Sequence, residues 1–197
     1  MEIISALGGI GAAFGLSGSA GLNAYIPLLV VALASRLPAG DPLLRLGEPY
    51  DLLGNAWVIG ALIVLLFIEM TVDKIPAVDT ANDVIQTLVR PAAGAVLFAA
   101  NANVVTNISP ILALMAGLIL AGGVHVTKGV ARPVVTAGTA GTGNWLVSLI
   151  EDLVAVGISI LSVLLPLLAA IIVLALVLFL VIRYRRRQQR KWARTVQ

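Results

Sequence analysis

Glu69 and Asp73 stand one helical turn apart at the end of an apolar run, so they share a helix face. Glu69 lies five residues before Lys74, roughly 7 Å further along the helix axis. A carboxylate at that depth in hydrocarbon costs about 2.5–3.5 kcal/mol unless it is paired or wet. The chemistry it offers is a proton or cation site; the plain alternative is an ion pair with Lys74, Lys128 or Arg132. Asp79 and Asp83 form an Asp-x3-Asp pair with Arg90 two turns on. Such spacing can hold a Mg²⁺-diphosphate, but enzymes of that kind need a second acidic motif. Here the second half offers only Glu151 and Asp152, adjacent and about 100° apart on a helix. A wet acidic face on an interfacial helix is therefore the favoured reading of Asp79 and Asp83.

His125, Lys128 and Arg132 recur at i, i+3 and i+7 and would share a face if one helix carried them all. Two bases and an imidazole can hold a phosphate or carboxylate, although Pro133 is expected to end the helix there. The simpler readings are a packing histidine and two bases in lipid headgroups. Asn23 and Asn144 each follow a glycine-rich stretch and open an apolar helix, where free backbone N–H groups suit an anion or polar solute. Plain N-capping is the alternative. Glu151 and Asp152 precede the last long apolar run and are placed to pair with Lys128 or Arg132.

The elements that must position these groups follow from composition. Of 197 residues, 59% are hydrophobic and 12% charged, and the mean hydropathy is +1.02. Soluble domains carry about 25% charged residues. That excludes an ordinary soluble globule, a disordered chain and a nucleic-acid-binding module, and leaves lipid as the solvent. There is no cysteine, hence no disulfide framework or thiolate site. Met1-Glu2 puts an acid where a signal peptide needs a base. No cofactor motif is present.

Uncharged runs mark the candidate spans. The small-residue run Gly15–Gly21 predicts a break between a short half-helix over 3–15 and a span over 20–36. Residues 37–54, with Pro38, Pro42 and Pro49, read as an exposed loop. Residues 55–75 read as an ordinary span, and 77–90 as an amphipathic helix with Asp79, Asp83, Gln86 and Arg90 on one face. Residues 91–127 fit two short helices with a turn over 101–110. The run 153–182 must tilt, start above the hydrocarbon or bend at Pro166. The fold expected is an all-α polytopic membrane protein of about five transmembrane helices plus short Gly-rich half-helices. It is one domain over 1–182, with a weak repeat that pairs 18–23 with 138–144 and suggests halves 1–90 and 91–182.

Residues 183–197 hold seven of the thirteen bases and no acid, so the body is acidic and the tail strongly basic. The tail should touch anionic lipid and lie in the cytoplasm. Parity of the spans gathers Lys74, Arg90, Lys128 and Arg132 on one side of the membrane. At least two of them should meet an acid, because unpaired buried bases are expensive.

The strings Gly21-Leu22-Asn23-Ala24-Tyr25-Ile26-Pro27-Leu28-Leu29, Asp73-Lys74-Ile75-Pro76-x-x-Asp79 with Asp83, Arg90-Pro91-x-x-Gly94, and His125-x-x-Lys128 through Asn144 to Glu151-Asp152 follow one another along the chain. Together they resemble a bacterial membrane family, domain of unknown function 4126, over about residues 10 to 185. The resemblance implies a small multi-pass inner-membrane protein and brings no activity with it. The residues themselves favour a transporter or channel-like protein, with Glu69 and Asp73 coupling to a proton or cation and the four bases holding an anionic part. A lipid-phosphate flippase or enzyme using Asp79, Asp83 and Arg90 is the second reading, and a structural subunit of a membrane complex the third. The bilayer and a small solute or ion are the partners implied, with room for self-association into a homo-oligomer.

Overall fold

A computed structural model describes residues 2–72, 76–102, 109–139, 143–169, 171, 172 and 175. The fold is all-α among these residues. Six helices follow in order: α1 Glu2–Leu22, α2 Tyr25–Ala34, α3 Ala56–Val72, α4 Pro76–Ala102, α5 Pro110–Thr139 and α6 Asn144–Leu164. Helices α1, α4 and α5 pack together as the centre. Helix α6 lies against α1 and α2, and α3 lies outside against α2 and α4. Stretches within α4 (Val84–Asn101), α5 and α6 are long and apolar enough to cross a membrane; α3 and the half-length α2 are shorter apolar helices.

The centre is built from small side chains. Gly94 and Gly117 sit where α4 and α5 touch: a Cβ on Gly94 would fall 2.8 Å from the Gly117 carbonyl oxygen, and one on Gly117 2.8 Å from the Ala95 Cα. A Cβ on Gly21 would lie 2.6 Å from the Ala121 carbonyl oxygen. Ser17 donates to the Gly94 carbonyl at 2.8 Å, and the Ser19 and Ser159 hydroxyls lie 2.8 Å apart between α1 and α6. Close backbone approach through small residues, with hydroxyls bonding across, is how helices associate where no hydrophobic effect drives them together.

This packing corrects the expected break at Gly15–Gly21. Those residues are the contact surface of α1, which runs unbroken through them to Leu22. The chain breaks two residues later, so the full-length helix comes first and the half-helix second. Asn23 makes the break: its Oδ1 accepts the Tyr25 and Ile26 backbone N–H groups at 3.0 and 3.1 Å, which starts a new helix. The separate amphipathic helix over 77–90 is corrected too. It is the first half of α4, which continues past Pro91 with the proline ring against Gly122. Helix α5 does not stop at Pro133 but reaches Thr139. Residues 37–54 are not simply an exposed loop, because Leu44, Leu46 and Leu53 pack on the core beside a 3-10 turn at Tyr50–Gly54. Helix α6 ends at Leu164, Leu165 leaves the helical conformation and a further turn starts at Pro166, so of the three alternatives for this run a break at Pro166 is present.

The pattern of exposure is inverted relative to a soluble bundle. Trp57, Ile63, Val64, Phe67 and Ile68 of α3, and Ile111, Leu112, Met115 and Ile119 of α5, point outward. Ser17, Ser19, Asn23, Glu69, Gln86, Arg90, Lys128, Ser148, Ser159 and Ser162 point inward. Polar and ionisable side chains are thus buried among small apolar ones, while many long apolar side chains face outward.

Candidate functional site: a buried polar layer at the α1–α2 break

The inward ionisable groups, with Asn23 and Gln86, gather near the level where α1 gives way to α2. Glu69, near the end of α3, is 2% exposed, and Arg90, in mid-α4, is 1% exposed. Arg90 Nη2 donates to Glu69 Oε1 at 3.0 Å. The expected partners of Glu69 were Lys74, Lys128 or Arg132. Among the described residues Arg90 is one partner, because the continuous α4 turns it inward toward α3; Lys74 and the Arg132 side chain lie outside them.

Arg90 also fixes its neighbour on α5. Its Nη1 lies 3.2 Å from His125 Nδ1. A guanidinium only donates, so Nδ1 must be the accepting, unprotonated nitrogen. The proton of the neutral ring then sits on Nε2, 3.2 Å from Thr87 Oγ1. Glu69, Arg90, His125 and Thr87 therefore form one hydrogen-bonded line across α3, α4 and α5. Tyr25, at the start of α2, faces the same place, within hydrogen-bonding reach of Gln86 and in the field of Glu69 and Arg90. Gln86 is 1% exposed. Its Oε1, like Arg90 Nε, is buried without a hydrogen-bond partner among the described residues.

A second group lies one turn along α5. Lys128 Nζ is 2.7 Å from Glu151 Oε2 and donates to the Leu22 carbonyl at 3.3 Å. A cation on the last carbonyl of α1 suits the negative end of that helix. Beside it, Asn23 Nδ2 donates to Asp152 Oδ1 at 2.9 Å. Asn23 is therefore both the cap of α2 and the tie between the break and α6. The adjacent acids Glu151 and Asp152 point apart as helical geometry requires, one to Lys128 and the other to Asn23.

Two of the four bases thus meet acids, as the charge balance demanded. Asp73 and Lys74 lie outside the described residues. Asp79 and Asp83 fall on α4 and Arg132 on α5, but their side chains also lie outside them. Asn144 belongs elsewhere: it opens α6 and its Oδ1 accepts from Thr136 at 3.1 Å, two turns before Asp152. It opens α6 as expected, but among the described residues its side chain makes no cap bond of the kind Asn23 makes. No three His, Asp or Glu side chains converge as a metal ion would need, among the described residues. Sequence reasoning missed Tyr25, Thr87, the role of Gln86 and the serine contacts. The spacing Ser148, Asp152, Ala155, Ser159, Ser162 on α6 carried the signal, since small and polar residues at alternating steps of three and four mark an inward face.

Between α3 and α6 lies a crevice of about 300 Å³, lined by Met70, Trp145, Ser148, Leu149 and Asp152. The opening reaches Asp152, while Glu69 stays enclosed.

The arrangement is an all-α bundle with buried polar and ionisable side chains, exposed apolar ones and, among the described residues, three helices long and apolar enough to span a bilayer. The chain belongs to the family described as domain of unknown function DUF4126, whose model matches residues 10–186. No curated protein and no solved structure matches the chain.

Proposed function

We propose that the chain is a membrane transport protein that carries an ion or small polar solute past the polar layer at the α1–α2 break. The observation that carries this reading is the placement of Glu69, Arg90, His125, Lys128, Glu151 and Asp152 inside a bundle whose outside is apolar. Ionisable side chains are rare at such depth and mark solute or proton paths. A half-length helix whose end is capped inside the protein is also what transporter sites use. In this reading the Glu69–Arg90 and Lys128–Glu151 pairs are closures, and a solute passes when one pair opens. Residence in a bacterial inner membrane with a cytoplasmic C-terminus belongs to the same proposal. It is supported by the apolar exterior and the basic tail.

Flux into liposomes containing the purified chain tests it. Protons, monovalent ions and small polar solutes should include at least one that enters faster than in protein-free vesicles. Glu69→Gln, with folding checked by circular dichroism, should abolish that flux. Unchanged flux in a folded Gln variant removes Glu69 from the path. A second reading, a structural subunit of a membrane complex, is favoured by the closed state of both pairs. It would replace the first if the folded wild-type chain passes nothing.

A further inference from the structure

The end of α1 gathers oxygens around a positive charge. Leu22 is the last residue of α1, and its carbonyl lies at the negative end of a 21-residue helix that stops at the buried Asn23. The Ser19 carbonyl accepts the Asn23 backbone N–H at 3.0 Å, whereas the Leu22 carbonyl accepts from Lys128 Nζ at 3.3 Å. Glu151 brings a carboxylate oxygen to the same Nζ at 2.7 Å. The two oxygens thus come from α1 and α6, while the ammonium comes from α5.

Contacts that do not involve the lysine hold these oxygens in place. Ser19 Oγ donates to the Ala155 carbonyl at 2.9 Å and lies 2.8 Å from Ser159 Oγ, and Asn23 donates to Asp152 at 2.9 Å. Ser19 and Asn23 flank Leu22, so the turn that carries its carbonyl is tied to α6 on both sides. Gly21 seats the same turn against α5, where an added Cβ would lie 2.6 Å from the Ala121 carbonyl oxygen. The side chains of Lys128 and Glu151 are 4% and 15% exposed, so little water competes for the place. An ammonium only donates, so every group it hydrogen-bonds is an acceptor. A buried set of acceptors with a carboxylate among them suits any small cation of the same size. Carbonyls at broken helix ends serve as monovalent-cation ligands in membrane bundles for this reason.

We propose that the α1–α2 break is a binding site for a monovalent cation of ammonium size, with the Lys128 ammonium as its tethered occupant and the Leu22 carbonyl and Glu151 carboxylate as ligands. A free ammonium or potassium ion takes the same oxygens when the lysine withdraws. Binding at the break stands by itself; as the coupling ion of a carrier, the cation rests on the transport reading.

The test uses the full chain in detergent and reads melting temperature in choline, potassium or ammonium chloride at one ionic strength. Lys128→Met keeps a stem that reaches as far as Cε and removes the charged end. Exchanging choline for potassium or ammonium should raise the melting temperature of this variant saturably, by at least about 3 °C. The wild-type chain should not respond, and adding Glu151→Gln to Lys128→Met should abolish the rise. If Lys128→Met does not fold, Lys128→Ala is read in its place; the same rise, or folding in potassium or ammonium but not in choline, supports the site. Failure of both variants to fold in every salt overturns it. So does an equal rise in the wild-type chain, no rise in a folded variant, or a rise that survives Glu151→Gln. A variant stabilised by lower pH and by neither ion overturns it as well, because Glu151 then takes up a proton where the proposal requires a cation. A cation response in the variants without flux through the wild-type chain in liposomes removes the transport reading and leaves the site. Flux without a cation response does the reverse.

Discussion

Arg90 is the residue on which the layer turns. It is buried, bonded to Glu69 and to His125, and set on the turn before Pro91. Removing one partner of such a pair leaves an uncompensated charge, whereas removing both replaces the pair by packing. Glu69→Met and Arg90→Met should each lower stability in detergent by about 3–5 kcal/mol. The double variant should recover most of that loss, read as denaturation midpoints in a double-mutant cycle. Additive losses would mean that the two side chains do not depend on one another. Asn23 offers a separate test. Asn23→Ala removes the N–H partner of α2 and the bond to Asp152, and should destabilise by about 1–2 kcal/mol, more than alanine at the exposed Asn55.

At the scale of the helix, the glycines divide into two kinds. Gly94 and Gly117 are contact points, where an added methyl meets backbone. Gly60 of α3 and Gly123 and Gly129 of α5 have nothing within 4 Å of an added Cβ. Gly94→Ala and Gly117→Ala should therefore each cost about 1–3 kcal/mol through overpacking. Gly60→Ala, Gly123→Ala and Gly129→Ala should be neutral or stabilise by up to about 1 kcal/mol, since alanine is the better helix former. Melting temperatures of the five variants check the division. A common effect on all five would show that the α4–α5 contact is looser than the close approach of Gly94 and Gly117 implies.

For the whole molecule, orientation follows from the distribution of charge. The seven bases over 183–197 outnumber those of every other segment, so the tail should be cytoplasmic. If 145–182 crosses once, residues 37–54 lie on the same side as the tail. A C-terminal reporter active only in the periplasm would reverse the assignment. Cysteines placed singly over 37–54 in this cysteine-free chain should resist a membrane-impermeant label added outside. Labelling there would mean that 145–182 crosses twice.

Composition and uncharged runs were enough to determine that the chain is helical and where most helices lie, because the hydrophobic and charge patterns are local properties of the sequence. The presence of ion pairs was legible for a similar reason: a body with ten acids and six bases cannot bury the bases alone. Lys128 with Glu151 was among the pairs the spacing offered, whereas the partnership of Glu69 with Arg90 was not legible. Glu69 meets Arg90 because α4 runs through Pro91 without a break and is held against α1 and α5 by Gly94 and Gly117. That sets the rotation of α4 about its axis, which no window of sequence contains. The Gly15–Gly21 run misled for the same reason, since low helix propensity is a weak local term and close packing against three other helices outweighs it. Asn23 shows the boundary between the two. Its position before an apolar helix announced a cap, while its bond to Asp152, 129 residues away, exists only because α6 lies across the break.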